Sequence, residues 1–197
     1  MVGNLPNFTK LDVLRCLFRI ENPLSRSALS KSLGLGEGTV RSILDILKGN
    51  NLLASGKKGH YLSNKGKEFL KEINGNIRVS KADLSSVFPS KKGVAVQIRH
   101  VKNKKGMRKA YELRDIAVKA GADGALILKY DGRLKLYELE DAISGYGFKK
   151  IENEFSLEKN DLVAAAYADS YKLAEYGALA VAVEISGSLK RIMQKLK

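Results

Sequence analysis

Ser25-Arg-Ser-Ala-Leu-Ser-Lys-Ser-Leu-Gly34-Leu-Gly-Glu-Gly-Thr39-Val-Arg-Ser-Ile-Leu-Asp-Ile-Leu-Lys48 decides the fold, together with Leu52-Leu-Ala-Ser-Gly-Lys-Lys-Gly-His-Tyr-Leu-Ser63-Asn-Lys-Gly-Lys-Glu-Phe-Leu70 behind it. Ser25 is placed to cap a short helix ending near Leu33, whose Leu29 and Leu33 share a face at i, i+4. Gly34 supplies the left-handed residue that commonly stops a helix. A second helix starts near Glu37, where a carboxylate suits the positive end of the dipole. Within it Val40, Ile43, Leu44 and Leu47 form one apolar stripe at i, i+3, i+4, i+7. That stripe must face inward. At about 100° per residue, Gly38, Ser42 and Asp45 then point directly away from it, with Thr39 and Arg41 flanking and Lys48 in the last turn. Asp45 reads most simply as the i, i+4 partner of Arg41.

Leu52–Ser55 and His60–Ser63 are short β-capable runs around Gly56-Lys57-Lys58-Gly59, which predicts a hairpin. Ser63 caps a further helix reaching about Ile73, with Phe69, Leu70 and Ile73 as its apolar side. Ahead of the motif, Thr9-Lys-Leu-Asp12 matches a capping box with Asp in the usual Glu/Gln place. Val13, Leu14, Leu17, Phe18 and Ile20 follow as an apolar helical face. The order is therefore helix, short helix, helix, hairpin, helix. A small, polar outer face on the third element can approach base edges in a DNA major groove, with Arg41 bonding guanine or phosphate. Lys57, Lys58 and His60 would follow the adjacent backbone or minor groove, and Arg26, Ser27 and Lys31 would reach phosphates.

In this order residues 8–73 resemble the winged-helix family of prokaryotic transcription regulators. Leu62-Ser63-Asn-Lys-Gly66 is similar to the Leu-Thr/Ser-x-Lys-Gly step that leaves the wing in that family. The resemblance implies that residues 37–48 are the recognition helix and residues 56–60 the wing tip. Over its whole length the chain also resembles uncharacterised archaeal regulators that carry a winged helix before a domain of unknown function.

Composition bounds the rest. At 197 residues the chain suits two compact domains. Hydrophobic residues make up 44% and prolines number only three, which argues for a folded protein. The formal net charge of +14 is unevenly placed: residues 1–80 hold 13 basic and 6 acidic residues (+7), residues 81–110 hold 9 and 1 (+8), and residues 111–197 hold 13 and 14 (−1). An excess confined to the first 110 residues favours a polyanionic partner over a general solubility charge. Lys102-Asn-Lys-Lys-Gly-Met-Arg-Lys109 belongs to it, either as an extension of the DNA-contacting surface or, as is commoner for one charge run, as a solvated turn. Cys16 is the only cysteine and sits on the first helix, so one chain builds neither a disulfide nor a thiolate metal site. The start Met1-Val-Gly-Asn-Leu-Pro-Asn7 lacks the features of a signal peptide, and Tyr176–Val183 is far too short to span a bilayer, so a cytoplasmic protein without membrane contact is expected.

The second half reads as a small α+β domain with a mostly antiparallel or mixed sheet, in the order β-α-β-β-(β)-β-α. Val94–Val101 alternates as a strand. A helix follows with Leu113, Ile116, Ala117 and Ala120 inward and Gly121 as its stop. Ala125–Tyr130 and Arg133–Leu139 flank Asp131-Gly132, a strong hairpin signal. Residues 140–160, including Ser144–Gly147, are only loosely readable. Leu162–Ala168 is a buried strand or a helix start, and the strand is preferred because Asp169-Ser170 then caps one last helix carrying Leu173, Gly177, Ala178, Val181, Ile185, Leu189, Ile192 and Leu196. The expected domains are thus 1–75, a connection 76–93, and 94–197.

Two turns invite a small polar ligand or anion: Asp169-Ser170-Tyr171 at a helix start and Asp123-Gly124 at a strand edge. Both equally suit ordinary caps and turns. Gly34-Leu-Gly36-Glu-Gly38 lacks the Gly-Lys-Ser/Thr ending of a phosphate loop and follows no strand, so the interhelical turn explains it. His60, His100 and the acidic run Glu138, Glu140, Asp141 show no spacing that a metal or a reaction requires. No catalytic residue, metal or cofactor is expected. The expectation is a DNA-binding transcriptional regulator acting on double-stranded DNA as a homodimer, its second domain for dimerisation and for a candidate small-molecule effector. The competing readings are a non-specific DNA- or RNA-binding protein, and a small-molecule-binding or enzymatic second domain with the first as scaffold.

Overall fold

A computed structural model describes residues 8–99, 101, 108–138 and 148–196. The chain divides into two compact units, residues 1–74 with 191–197, and residues 75–190.

The first unit opens with α1, Lys10–Arg19. The capping box read from the sequence is present, with the Thr9 N–H donating to the Asp12 carboxylate at 2.9 Å. Asp12 is buried, and so is Arg15. The two form an ion pair at 3.2 Å, and Arg15 donates a second bond, at 3.1 Å, to the carbonyl of Leu33. That carbonyl belongs to the last turn of α2, Arg26–Leu33, where backbone acceptors have no intrahelical partner. One buried guanidinium therefore neutralises a carboxylate and closes a helix end, as a buried charge requires. Ser25 caps α2 by accepting the Ala28 N–H at 3.2 Å, and Gly34 ends it at φ 63°, ψ 40°. Next comes α3, Glu37–Gly49, with Val40, Ile43, Leu44 and Leu47 buried as the periodicity requires.

Strands β1, Leu53–Gly56, and β2, Gly59–Leu62, pair antiparallel and leave Lys57 and Lys58 as the turn. Leu24 pairs with His60 beside them, so the residue before the Ser25 cap is joined to the hairpin. Gly59 has φ 115°, and a Cβ there would run into the Leu24 carbonyl. The hairpin leads into α4, Asn64–Asn76. Ser63 caps α4 by accepting the Gly66 N–H at 3.0 Å, while its own hydroxyl donates to the Asn51 carbonyl at 2.7 Å. A Cβ on Gly66 would collide with the Leu52 carbonyl. This explains the Leu-Ser-Asn-Lys-Gly step in local terms: a cap, then a glycine where backbone crosses backbone.

In the second unit five strands form one sheet in the order β3-β4-β7-β5-β6: β3 Ile77–Ala82, β4 Lys92–Ile98, β5 Gly124–Tyr130, β6 Leu134–Leu136 and β7 Leu162–Ala168. Every neighbouring pair is antiparallel. Helices α5, Ala110–Lys119, and α7, Tyr171–Ile185, accompany the sheet, and a short α6 spans Lys149–Glu152. Ala164, Ala165 and Ala166 of β7 are fully buried, and a Cβ on Gly177 would meet the methyls of Ala122, Ala166 and Ala117, so α7 approaches the sheet at backbone distance. The opposite face collects Ala95, Val163, Leu128, Phe148, Ile151 and Phe155.

Several expectations are corrected. Residues 76–93, read as a connection, hold β3 and the start of β4. The last helix is not continuous: it breaks at Ser186, and α8, Gly187–Lys195, follows. Ser186 accepts the Leu189 N–H at 3.2 Å and so caps α8. The tail does not stay with the second domain, because residues 191–197 join the first unit. There Lys10 Nζ donates to the Met193 carbonyl at 3.1 Å. The strands are shorter or shifted, 92–98 for 94–101 and 134–136 for 133–139, and the Asp131-Gly132 turn holds three residues between Tyr130 and Leu134.

Candidate nucleic-acid interface

The outward side of α3 is open. Gly38, Arg41, Ser42 and Asp45 are exposed and Thr39 is half-exposed, opposite the buried Val40, Ile43, Leu44 and Leu47. Nothing lies within 4 Å of where a Gly38 Cβ would sit. No packing reason therefore places a glycine in this first helical turn, where it costs helix stability.

Arg41 and Asp45 do not pair as expected. Asp45 lies near enough to His60 to favour its charged form weakly. The Arg-before-Asp order is the weaker orientation for an i, i+4 pair, and both side chains are exposed to water that competes with it. His60 itself is pushed down, chiefly by partial burial and then by Lys48 and Arg26, against the opposing pull of Asp45. Its Nδ1 and the Ser55 hydroxyl share a hydrogen bond of 2.9 Å across the hairpin. Lys48, read from sequence as a DNA contact, is thus electrostatically coupled to the hairpin.

Arg26 is also committed. Its guanidinium contacts Glu37 at 3.0 and 3.1 Å, joining the first turns of α2 and α3. Both side chains are more than a third exposed, so the pair is weakly stabilising. Ser27 and Lys31 lie exposed on α2, and Lys57 and Lys58 are exposed at the hairpin tip. The fold thus brings Arg26, Lys48 and His60 into one electrostatic neighbourhood with Asp45. Residues 102–107 of the basic run lie outside the described residues, as do His100, Glu140, Asp141 and Ser144–Gly147.

The second group of sequence candidates comes together differently. Lys91 Nζ lies 2.6 Å from both the Asp123 and the Asp169 carboxylates. Lys91 was not anticipated, because its partners are 32 and 78 residues away. The register explains the meeting: Lys92 pairs with Ala168, and Gly124 with Tyr167, at one end of the sheet. Ser170 caps α7 by accepting the Leu173 N–H at 3.3 Å, and Lys81 lies 4.6 Å from the Tyr171 ring centre. Gly124 is required by the Tyr167 ring, into which a Cβ would run. Lys91 thus ties three turns together by bridging two carboxylates.

Sequence reading also missed a groove of about 610 Å³ in the first unit, bordered by Pro23, Tyr61, Leu62, Leu70, Lys67 and Lys71. Burial pushes the Cys16 thiol up to about 12, so it stays protonated and unreactive. Among the described residues no cluster of His, Cys, Asp and Glu could hold a metal ion, and no helix is long and apolar enough to cross a membrane.

Residues 9–68 match the family model described as "PH0730-like, N-terminal domain", and residues 89–185 match "Domain of unknown function (DUF4443)". The solved structure of hypothetical protein PH0730 from Pyrococcus horikoshii OT3 is similar at a TM-score of 0.77 and 28% identity, covering 94% of this chain and 100% of that one. No curated protein matches. The chain is thus similar to an uncharacterised archaeal protein of two domains, as the looser resemblance anticipated.

Proposed function

We propose that the chain is a winged-helix transcription regulator that binds double-stranded DNA. The observation that carries the reading is the free outer face of α3, small and polar around Arg41, in the same unit as a hairpin tipped by two exposed lysines. In this reading α3 enters the major groove with Gly38, Thr39 and Ser42 close to base edges. Arg41 bonds guanine O6 and N7 or a phosphate. Lys57 and Lys58 follow the backbone beyond the groove, and Ser27 and Lys31 add phosphate contacts on α2. Arg26 joins them by exchanging Glu37 for a phosphate oxygen. The second unit serves assembly.

The +15 carried by the first 110 residues favours a second reading, sequence-blind binding of DNA or RNA. A gel-shift competition between selected and scrambled duplexes, repeated across salt concentrations, separates the two. The regulator discriminates at every salt concentration. Equal competition by both duplexes, with a steep salt slope, rejects the regulator and supports the second reading.

A further inference from the structure

We propose that two copies of this chain pair through the outer face of α5, as an antiparallel helix contact about a two-fold axis. The inference rests on the reading above only in assigning assembly to the second unit.

Tyr111 and Val118 are among the few large apolar side chains left exposed, at 54% and 46%. They lie seven residues apart on α5, with Arg114 and Asp115 between them. At about 100° per residue all four fall on one face, opposite the buried Leu113 and Ala117. The pattern is symmetric about the point between Arg114 and Asp115: an apolar residue, a cation, an anion, an apolar residue. An isologous contact requires that residue i meet residue j while j meets i. An axis through that midpoint sets Tyr111 against Val118 of the second copy and Arg114 against Asp115 of the second copy, twice over. Arg114 and Asp115 already lie 3.2 Å apart within one chain, so each can exchange an internal partner for an external one.

At the centre of the face cation and anion balance, an arrangement matched by a second copy rather than by a polyanion. A second copy finds every group matched. Ten residues of helix span about 15 Å, so the contact falls at the small end of specific interfaces and predicts a concentration-dependent dimer rather than an obligate one.

Sedimentation equilibrium of the full chain without DNA tests this independently of nucleic-acid binding. The expected result is a monomer–dimer equilibrium weakened more than about tenfold by Tyr111→Glu. Arg114→Asp alone and Asp115→Arg alone each place like charges opposite one another and weaken it as well. The double exchange R114D/D115R restores it, with far-UV circular dichroism unchanged because all four side chains are exposed. A chain that stays monomeric at every concentration overturns the proposal. So does a dimer indifferent to Tyr111→Glu, or a double exchange no tighter than either single variant.

Discussion

Gly38 is where stability and binding are expected to part. With open space around its missing Cβ, Gly38→Ala lowers backbone entropy in the unfolded chain without strain and should stabilise the protein by about 0.5–1 kcal/mol. If α3 approaches base edges there, the same methyl weakens DNA binding. Urea denaturation and a gel-shift titration on the one variant read both effects. His60 makes a second residue-level prediction. Its pKa in the folded chain lies below the ordinary 6.5, chiefly through desolvation. Between those two values the unfolded chain binds more protons than the folded one, so stability falls as pH drops below about 6.5 and levels off once both states are protonated. His60→Gln should remove that part of the pH dependence in thermal melts from about pH 7 to 5. An unchanged profile would place its origin elsewhere. Local signals such as the caps at Ser25, Ser63, Thr9 and Ser170 were legible in the sequence because each involves residues three apart. Pairings such as Arg26–Glu37 and Lys91 with Asp123 and Asp169 were not, because only the tertiary fold brings them together.

At the scale of elements, the hairpin and its exit carry the clearest tests. Lys57 and Lys58 occupy the two turn positions between Gly56 and Gly59. Replacing both with Ala should weaken binding to all duplexes alike. It should also flatten the dependence of log affinity on log salt by about 0.9 for each phosphate no longer neutralised. Gly66→Ala should cost about 1–3 kcal/mol, since the Leu52 backbone occupies the Cβ position and neither segment is a flexible side chain. The elements that sequence reading misplaced were hidden in two different ways. Ile77–Ala82 is an edge strand with Arg78 and Lys81 exposed, which protects the edge and erases the apolar alternation that marks a strand. The break at Ser186 was hidden by apolar spacing that runs unbroken from Leu173 to Leu196. The signal that mattered was the breaker Ser186-Gly187-Ser188, whose first serine caps α8.

At the scale of the whole molecule, charge and fold divide the chain at different places: the positive excess runs on to residue 110, inside the second unit. The first 110 residues hold all of the positive excess, while the remaining 87 are close to neutral and supply most of the sheet and the proposed pairing helix. Architecture was more legible than function: apolar periodicity specifies which faces are buried, but a polar outer face fits any polar partner. Arg41 is the residue on which the specific reading turns, since its planar guanidinium on the exposed side of α3 can bond guanine O6 and N7 together. Arg41→Ala should cost about 1–3 kcal/mol on the selected site and relax discrimination at one base position. Selection of bound fragments from genomic DNA by the full chain, followed by sequencing, tests the central claim most directly. The account predicts recovery of one recurrent inverted-repeat site, with its consensus blurred at one position of each half in Arg41→Ala. Fragments recovered in proportion to their abundance, with no shared site, would contradict it.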